Sequence, residues 1–197
     1  SISNAFFRLG LAVSFFSISL ALIAEPTLEE VVVSARKVNE SVQDVPIAMS
    51  VFTSSDIEDA GIERPEDFIA LTPNVVMANT VNVGDTLVTI RGVTSTRDAE
   101  SNFAFVVDGV LQTNPNAFNR ELLDIAQIEV LKGPQGALYG RNATSGAILI
   151  TTKAPSEESE STAVIGMGIN NSSKLQYVNS GKMGDNVYTR FSVSTRE

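Results

Sequence analysis

Ile128-Glu-Val-Leu-Lys-Gly-Pro-Gln-Gly-Ala-Leu-Tyr-Gly-Arg141, resumed shortly after by Gly146-Ala-Ile-Leu-Ile-Thr-Thr152, is the stretch on which the fold turns. Residues 128–131 read as a strand that must break at Lys132-Gly133-Pro134, because proline cannot donate to a ladder. Residues 136–139 have room for one helical turn before Gly140-Arg141-Asn142. The run 147–152 (AILITT) reads as a buried strand, and Lys153-Ala154-Pro155 closes it. Gly133, Gly136 and Gly140 invite a phosphate-loop reading, but no Gly-Lys-Ser/Thr ending follows and no nucleotide fold precedes them. They read better as backbone positions with positive φ or close packing.

Working back along the chain, residues 103–107 form an apolar run that meets Asp108-Gly109, a favoured hairpin pair, before Val110-Leu111. A shorter run, 87–90, ends in Arg91-Gly92. Earlier still, 46–52 (PIAMSVF) reads as a buried strand. Ser55-x-x-Glu58 then reads as a capping box opening a short helix that Gly61 ends. Pro65 suits the first turn of a second helix, Glu66 and Asp67 complement its dipole, and Phe68 with Leu71 make its apolar face before Thr72-Pro73. Strands with short helices between them predict an α+β domain, a mixed sheet with short helices. Ahead of it lies Thr27-Leu-Glu-Glu-Val-Val-Val-Ser-Ala-Arg36, three valines with acid on one side and base on the other. Such a segment either pairs with an exposed sheet edge in a partner or is an ordinary first strand; the pattern leaves both open.

Beyond Pro155 the character changes. An acidic linker with Glu157, Glu158 and Glu160 leads into 162–169, where Ala163, Ile165, Met167 and Ile169 alternate with Thr162, Val164, Gly166 and Gly168. After the turn Asn170-Asn-Ser-Ser173 a second run starts at Lys174. A third sets Val187, Phe191 and Val193 against Arg190, Ser192, Ser194 and Arg196. Runs of roughly ten residues, apolar on one face and small or polar on the other, suit a membrane β-barrel and equally a soluble antiparallel sheet with one wet face. A closed bacterial barrel needs at least about eight strands, and too few residues follow Pro155 for that. The chain is expected to be a fragment, or to stop mid-architecture.

At the other end, a single cation, Arg8, precedes the uncharged run 9–24, which stops at Glu25-Pro26. Charged, apolar and small-residue zones in that order predict a secretion signal over 1–24, cleaved after Ala21 or Ala24. An uncleaved anchor fits less well, since a membrane helix needs roughly 20 apolar residues and Ser14, Ser17 and Ser19 dilute this run. The chain opens on Ser rather than Met, so its true start is expected to lie upstream. The formal charge of −9 argues against nucleic-acid binding. With no cysteine and no histidine, Ser-His and Cys-His nucleophiles, the usual zinc sites and disulfides are all excluded. No cofactor or metal is expected.

Four segments in order now resemble one family, the TonB-dependent outer-membrane receptors. Leu28-Glu-Glu-Val-Val-Val33 looks like the TonB box. Asp44-Val-Pro-Ile-Ala-Met-Ser-Val51 through Leu71-Thr-Pro-Asn-Val75 resembles the first half of the plug, and Ile90-Arg-Gly92 with Phe105-Val-Val-Asp-Gly109 its middle. The opening stretch, 128–152, resembles its end. The resemblance implies a signal peptide (1–24), a box and linker (25–45), a plug (46–155) and the first strands of an incomplete barrel (156–197). It also implies that the TonB protein grips Leu28, Glu29, Glu30, Val31, Val32 and Val33 by β-augmentation. Arg91 and Arg141 would face barrel carboxylates beyond residue 197 as an ionic lock, with Glu129 a pairing partner inside the plug. A surface salt bridge is the plainer role for either arginine.

Outward plug loops would supply ligand contacts, with Asn82, Asp85, Arg97, Asn114 and Asn116 as candidates, although any exposed loop shows such polarity. The implied function is energised uptake of a scarce nutrient, an iron-siderophore complex first, with cobalamin, an oligosaccharide or another metabolite as the alternative. The mature N-terminus would hang in the periplasm and the barrel would sit in outer-membrane lipid. With so few residues between Ala24 and Leu28, no additional signalling domain is expected between signal and box. Two rival classes stand beside this reading. An enzyme would use Glu157, Glu158 and Glu160, or Asp56 with Glu58, as paired carboxylates, yet these sit in a linker and at a helix start. A free-standing periplasmic binding module would need only residues 46–154.

Overall fold

The computed structural model describes residues 30–34, 40–79, 86–95, 101–114, 117–140, 142–168 and 172–196. The signal reading, Leu28, Glu29, Asn82, Asp85, Arg97, Asn116 and Arg141 therefore lie outside the described residues.

The opening stretch builds the centre of a five-stranded sheet. β9 (Ile125–Lys132) and β10 (Gly146–Thr152) pair antiparallel, with Ile148 opposite Val130 and Leu149 opposite Glu129. β3 (Met49–Thr53) adds antiparallel to β9, β7 (Phe103–Val107) adds parallel to β10, and β8 (Val110–Leu111) hangs from β7 as the Asp108-Gly109 hairpin. The order β3-β9-β10-β7-β8 mixes parallel and antiparallel pairs, as expected. One helical turn, α3 (Gly136–Tyr139), sits between β9 and β10. Gly146 has a packing reason: a Cβ there would stand 2.3 Å from the Leu131 carbonyl oxygen.

Strand alternation splits the core into two layers. On one face Ile128, Val130, Ile148, Ile150, Phe103 and Phe105 pack with Ile57 of α1 (Ser54–Asp59) and with Phe68 and Ile69 of α2 (Pro65–Ala70). Phe118 is the hub, meeting Phe68, Phe103 and Phe105 edge-on at 6.3, 5.2 and 5.1 Å between centroids, each pair contributing about 1 kcal/mol beyond burial. The opposite face, Ala104, Val106, Leu131, Ala147 and Leu149, is covered by Val33 and Val45 of the N-terminal segment.

Three local expectations shift. The capping box lies at Thr53 and Asp56 rather than Ser55 and Glu58. Thr53 Oγ1 accepts from Asp56 N at 3.3 Å, and Asp56 Oδ2 accepts from Thr53 N at 2.8 Å, so the helix starts directly from the end of β3. Glu58 instead pairs with Lys153 at 2.9 Å. The 46–52 strand begins only at Met49 and is half-buried, because β3 is the sheet's edge. Three strands were not anticipated: β4 (Val75–Asn79), which pairs one edge of β5 (Thr86–Ile90), β6 (Val93–Thr94), which pairs its other edge, and β2 (Glu40–Ser41), which pairs β1 (Val32–Val33).

The terminal three-stranded sheet, β11 (Glu160–Met167), β12 (Ser173–Lys182) and β13 (Tyr188–Arg196), is a regular antiparallel meander. Its register places Ala163, Tyr177 and Val193 on one face together with Ile165, Leu175 and Phe191, and these side chains are exposed. Gln176, Val178, Ser180, Arg190, Ser192 and Ser194 line the other face, turned towards the rest of the protein and less exposed.

Candidate functional site

The valine strand forms as read, but both of its edges are occupied. Alternate residues of an antiparallel strand direct their N–H and C=O groups to opposite sides. On one side, Val33 stands opposite Glu40, and Val31 O accepts from Val42 N at 3.0 Å. On the other, Val32 O accepts from Gln127 Nε2 at 3.0 Å, and Ser34 donates through both N and Oγ to Glu129 Oε1, each at 3.0 Å. Val32 points to solvent, whereas Val33 is 1% exposed against Leu131 and Leu149. Of the six box residues, Val31, Val32 and Val33 form or flank the strand, and Glu30 precedes it, exposed.

Glu129 owes its position to the period of β9. Ile128 and Val130 face the helices, so Glu129 and Leu131 face the N-terminal segment. A carboxylate 2% exposed on an apolar sheet face is costly unless it accepts hydrogen bonds, and Ser34 supplies two, with Gln127 Nε2 a third at 3.2 Å. Burial, with the Glu129 carboxylate as the lesser cause, pushes the Tyr139 phenol up to about 12. The sequence suggested an arginine partner for Glu129; among the described residues Ser34 and Gln127 bond it, and the Ser34 bonds tie it to the valine strand.

Arg91 stands elsewhere. It is exposed, with a left-handed backbone (φ 51°) fixed by its N–H donating to Asn74 O at 2.9 Å. Its guanidinium lies over Gly133, where an added Cβ would come 3.2 Å from Nη1. That is a reason for the glycine beyond its φ of 114°. Lys132 is beside it, donating to Ser50 Oγ at 2.9 Å and Pro73 O at 3.2 Å. Burial first, and the Arg91 charge second, push the Lys132 ammonium below its usual range. Neither cation forms an ion pair with a described residue. Two adjoining cations with neutral partners make an electropositive spot able to receive carboxylates.

The loop candidates are partly assembled. Asn114 shares a small cleft with Ser101, Gln112 and Thr113 over Phe103 and Phe118, so Asn114 meets Ser101, which follows Arg97 closely in sequence. Sequence reasoning passed over Asn102, which clamps the base of its loop. Its side chain accepts from Ser95 Oγ at 2.7 Å and donates to Val93 O at 3.0 Å, while its carbonyl accepts from Ser145 N at 2.9 Å. It also passed over Glu63, Glu121 and Asp124, whose carboxylates meet bases of the terminal strands. Lone cations on the inward face of a strand were the available signal.

A mixed sheet with a docked N-terminal strand, followed by an outwardly apolar meander, defines a plug at the start of a barrel. Residues 41–147 match the TonB-dependent Receptor Plug Domain, and the chain belongs to that family. The Pesticin receptor of Yersinia enterocolitica is 31% identical over 132 residues, covering 66% of this chain and 19% of the receptor. The Vitamin B12 transporter BtuB of Vibrio vulnificus is 28% identical over 171 residues, 84% of this chain and 27% of the transporter. Among solved structures, the ferric yersiniabactin uptake receptor FyuA from Yersinia pestis superposes with a TM-score of 0.70 at 27% identity, covering 75% of this chain and 24% of FyuA. The chain thus spans about a fifth to a quarter of the length of these relatives.

Proposed function

We propose that this chain is the N-terminal part of an outer-membrane receptor that takes up a scarce nutrient with energy delivered by the TonB protein. The observation that carries the reading is the inverted amphipathicity of β11–β13, with apolar side chains outward and bases turned onto the plug. A barrel wall in lipid needs that arrangement and a soluble sheet does not. Residues 46–155 act as the plug and 156–197 open the wall. Leu28 to Val33 are the segment TonB grips by strand addition. Because both edges of β1 are engaged, strand addition at Val32 and Val33 requires displacing β2 or the Gln127 and Glu129 side chains. The electropositive spot at Arg91 and Lys132 receives carboxylates of the barrel wall, with Arg141 as the second arginine of that lock. Asn114 and its cleft, with Asn82, Asp85, Arg97 and Asn116, face the ligand.

An iron complex is the first substrate class, in keeping with the ferric yersiniabactin receptor among its relatives. Cobalamin is the second, since a Vitamin B12 transporter is similar over a longer stretch. Growth and uptake under iron limitation and under cobalamin limitation, with and without the gene, separate the two; a defect under neither condition overturns both. A proline at Val32 in the full-length receptor abolishes energised uptake and leaves ligand binding at the cell surface intact. Undiminished uptake by that variant removes the box from Leu28–Val33.

A further inference from the structure

The face that the terminal sheet turns to the plug carries four bases, Lys174, Lys182, Arg190 and Arg196, and the register sets two of them side by side. Lys174 and Arg196 are directly opposed on β12 and β13, which by itself is a repulsive pair. Plug carboxylates reverse the sign. The Lys174 ammonium lies 2.7 Å from Glu63 Oε1 and 3.6 Å from Glu121 Oε1, and the Arg196 guanidinium pairs with Glu63 and stands 3.8 Å from Glu121. The bond from Lys174 holds the Glu63 carboxyl below the usual range, against the effect of burial, and Arg196 adds to it.

A second cluster follows along the same strand. Arg190 donates through Nε and Nη2 to the two oxygens of Asp124 at 2.5 and 2.7 Å, and through Nη1 to Glu160 at 2.7 Å. The Arg190 and Asp124 side chains are 13% and 8% exposed, and a forked guanidinium–carboxylate pair is both strong and directional. Asp124 has a left-handed backbone (φ 57°), and its carbonyl accepts from Lys153 N at 2.8 Å. The backbone bond from Leu122 N to Glu63 O, 2.7 Å, ties the two acidic segments into one edge.

We propose that Glu63, Glu121 and Asp124 form an acidic docking edge of the plug for the cationic inner face of β12 and β13 (Lys174, Arg190 and Arg196). It is a plug-to-wall lock of polarity opposite to that of Arg91 and Arg141. The proposal rests on reading β11–β13 as barrel wall. Ile62 and Ile125, adjacent to these acids, belong to the helix-side core, whereas Val33 docks on the opposite face of the central sheet. A pull on β1 therefore loads the face remote from this lock, and the lock keeps the helix side seated.

The test uses the full-length receptor in outer membranes, with Asp124→Arg, Arg190→Asp and the double swap. The readout is entry of vancomycin, which is too large for porins. Each single reversal is expected to raise entry about tenfold, and the swap to return it to within about twofold of wild type. Wild-type entry in both single variants overturns the lock, as does a swap no better than the singles. Should a reversal prevent assembly, a second measurement decides. The chain has no cysteine, so a Glu121→Cys, Lys174→Cys pair treated with a bis-maleimide whose reach matches the two long side chains it replaces reports directly, and plug is expected to cross-link to wall; no cross-link overturns the lock. Failure of the barrel reading shows differently. Phe191→Cys would then react with a membrane-impermeant, water-soluble maleimide, whereas in a lipid-facing wall it is protected whether or not the lock exists.

Discussion

Two sheets in this chain use much the same residues to opposite ends. β10 of the plug, Gly146-Ala-Ile-Leu-Ile150, is buried at every one of these positions. In β11, by contrast, only Gly166 is better than exposed. The plug sheet has a core on each face and so needs an uninterrupted apolar run and a glycine where strands approach closely. The terminal sheet exposes Ile165 at 71% and Phe191 at 62% while turning arginines and a lysine inward. Burial in water asks for the reverse, and so the second sheet reads as one whose outer solvent is lipid. Apolar content alone does not say where a strand lies; its partition between the two faces does.

The sharpest way to break the contrast is inside the plug. Gly146→Ala places a Cβ against the Leu131 carbonyl and is expected to cost about 3 kcal/mol or more, read as a lower urea midpoint and lower yield in the outer membrane. A wild-type midpoint would mean that β9 and β10 do not approach so closely. Phe191→Arg probes the other sheet: in lipid it destabilises by about 2–4 kcal/mol at mid-depth and less near the interfaces, whereas in a soluble sheet it would be nearly neutral. The same substitution at the inward neighbour Ser192 should be tolerated better, and equal effects at 191 and 192 would erase the distinction between faces.

The smallest effect belongs to the helix cap at the plug's edge. Thr53→Ala is expected to cost about 1 kcal/mol. Its pH dependence is signed: the Thr53 hydroxyl, and then its backbone N–H, hold the Asp56 carboxyl below the ordinary range. The cap's ionic share is thus fully present above the unfolded carboxylate value of about 4 and is lost as pH falls through the lowered folded value. Thermal midpoints of wild type and variant should converge on acidification; a gap that stays constant would assign the effect to the hydroxyl–backbone bond alone.

Much of this was legible in order along the chain. The 128–152 stretch announced two strands and a turn of helix because proline and glycine punctuate it. Asp108-Gly109 announced a hairpin, and the alternation after Ser161 announced paired strands. The cap moved from Ser55 to Thr53 because two adjacent segments offered capping residues, and only the place where β3 ends selects one. β4 went unread because Val75-Val-Met-Ala-Asn79 shows no alternation of its own; its pairing with β5, Val75 opposite Ile90, makes it a strand. Of the site, Val31–Val33 were legible as a strand and Arg91 as a motif residue. Glu129 was legible as a strand carboxylate with an arginine for a partner, but its bonds to Ser34 were not legible.

By itself, the sequence determined the family, the α+β character, the paired strands at the end and the chemistry available: carboxylates, guanidinium groups, amines and hydroxyls, with no thiol or imidazole. Those follow from local pattern and composition, which do not depend on distant partners. Tertiary structure alone decided that Ser34 closes on Glu129, 95 residues away, that Val33 is buried, and that Glu63, Glu121 and Asp124 meet Lys174, Arg190 and Arg196. Each depends on which face of a strand a residue occupies and on what packs against that face. No single segment carries that information, because a shift of one residue in register would reverse it.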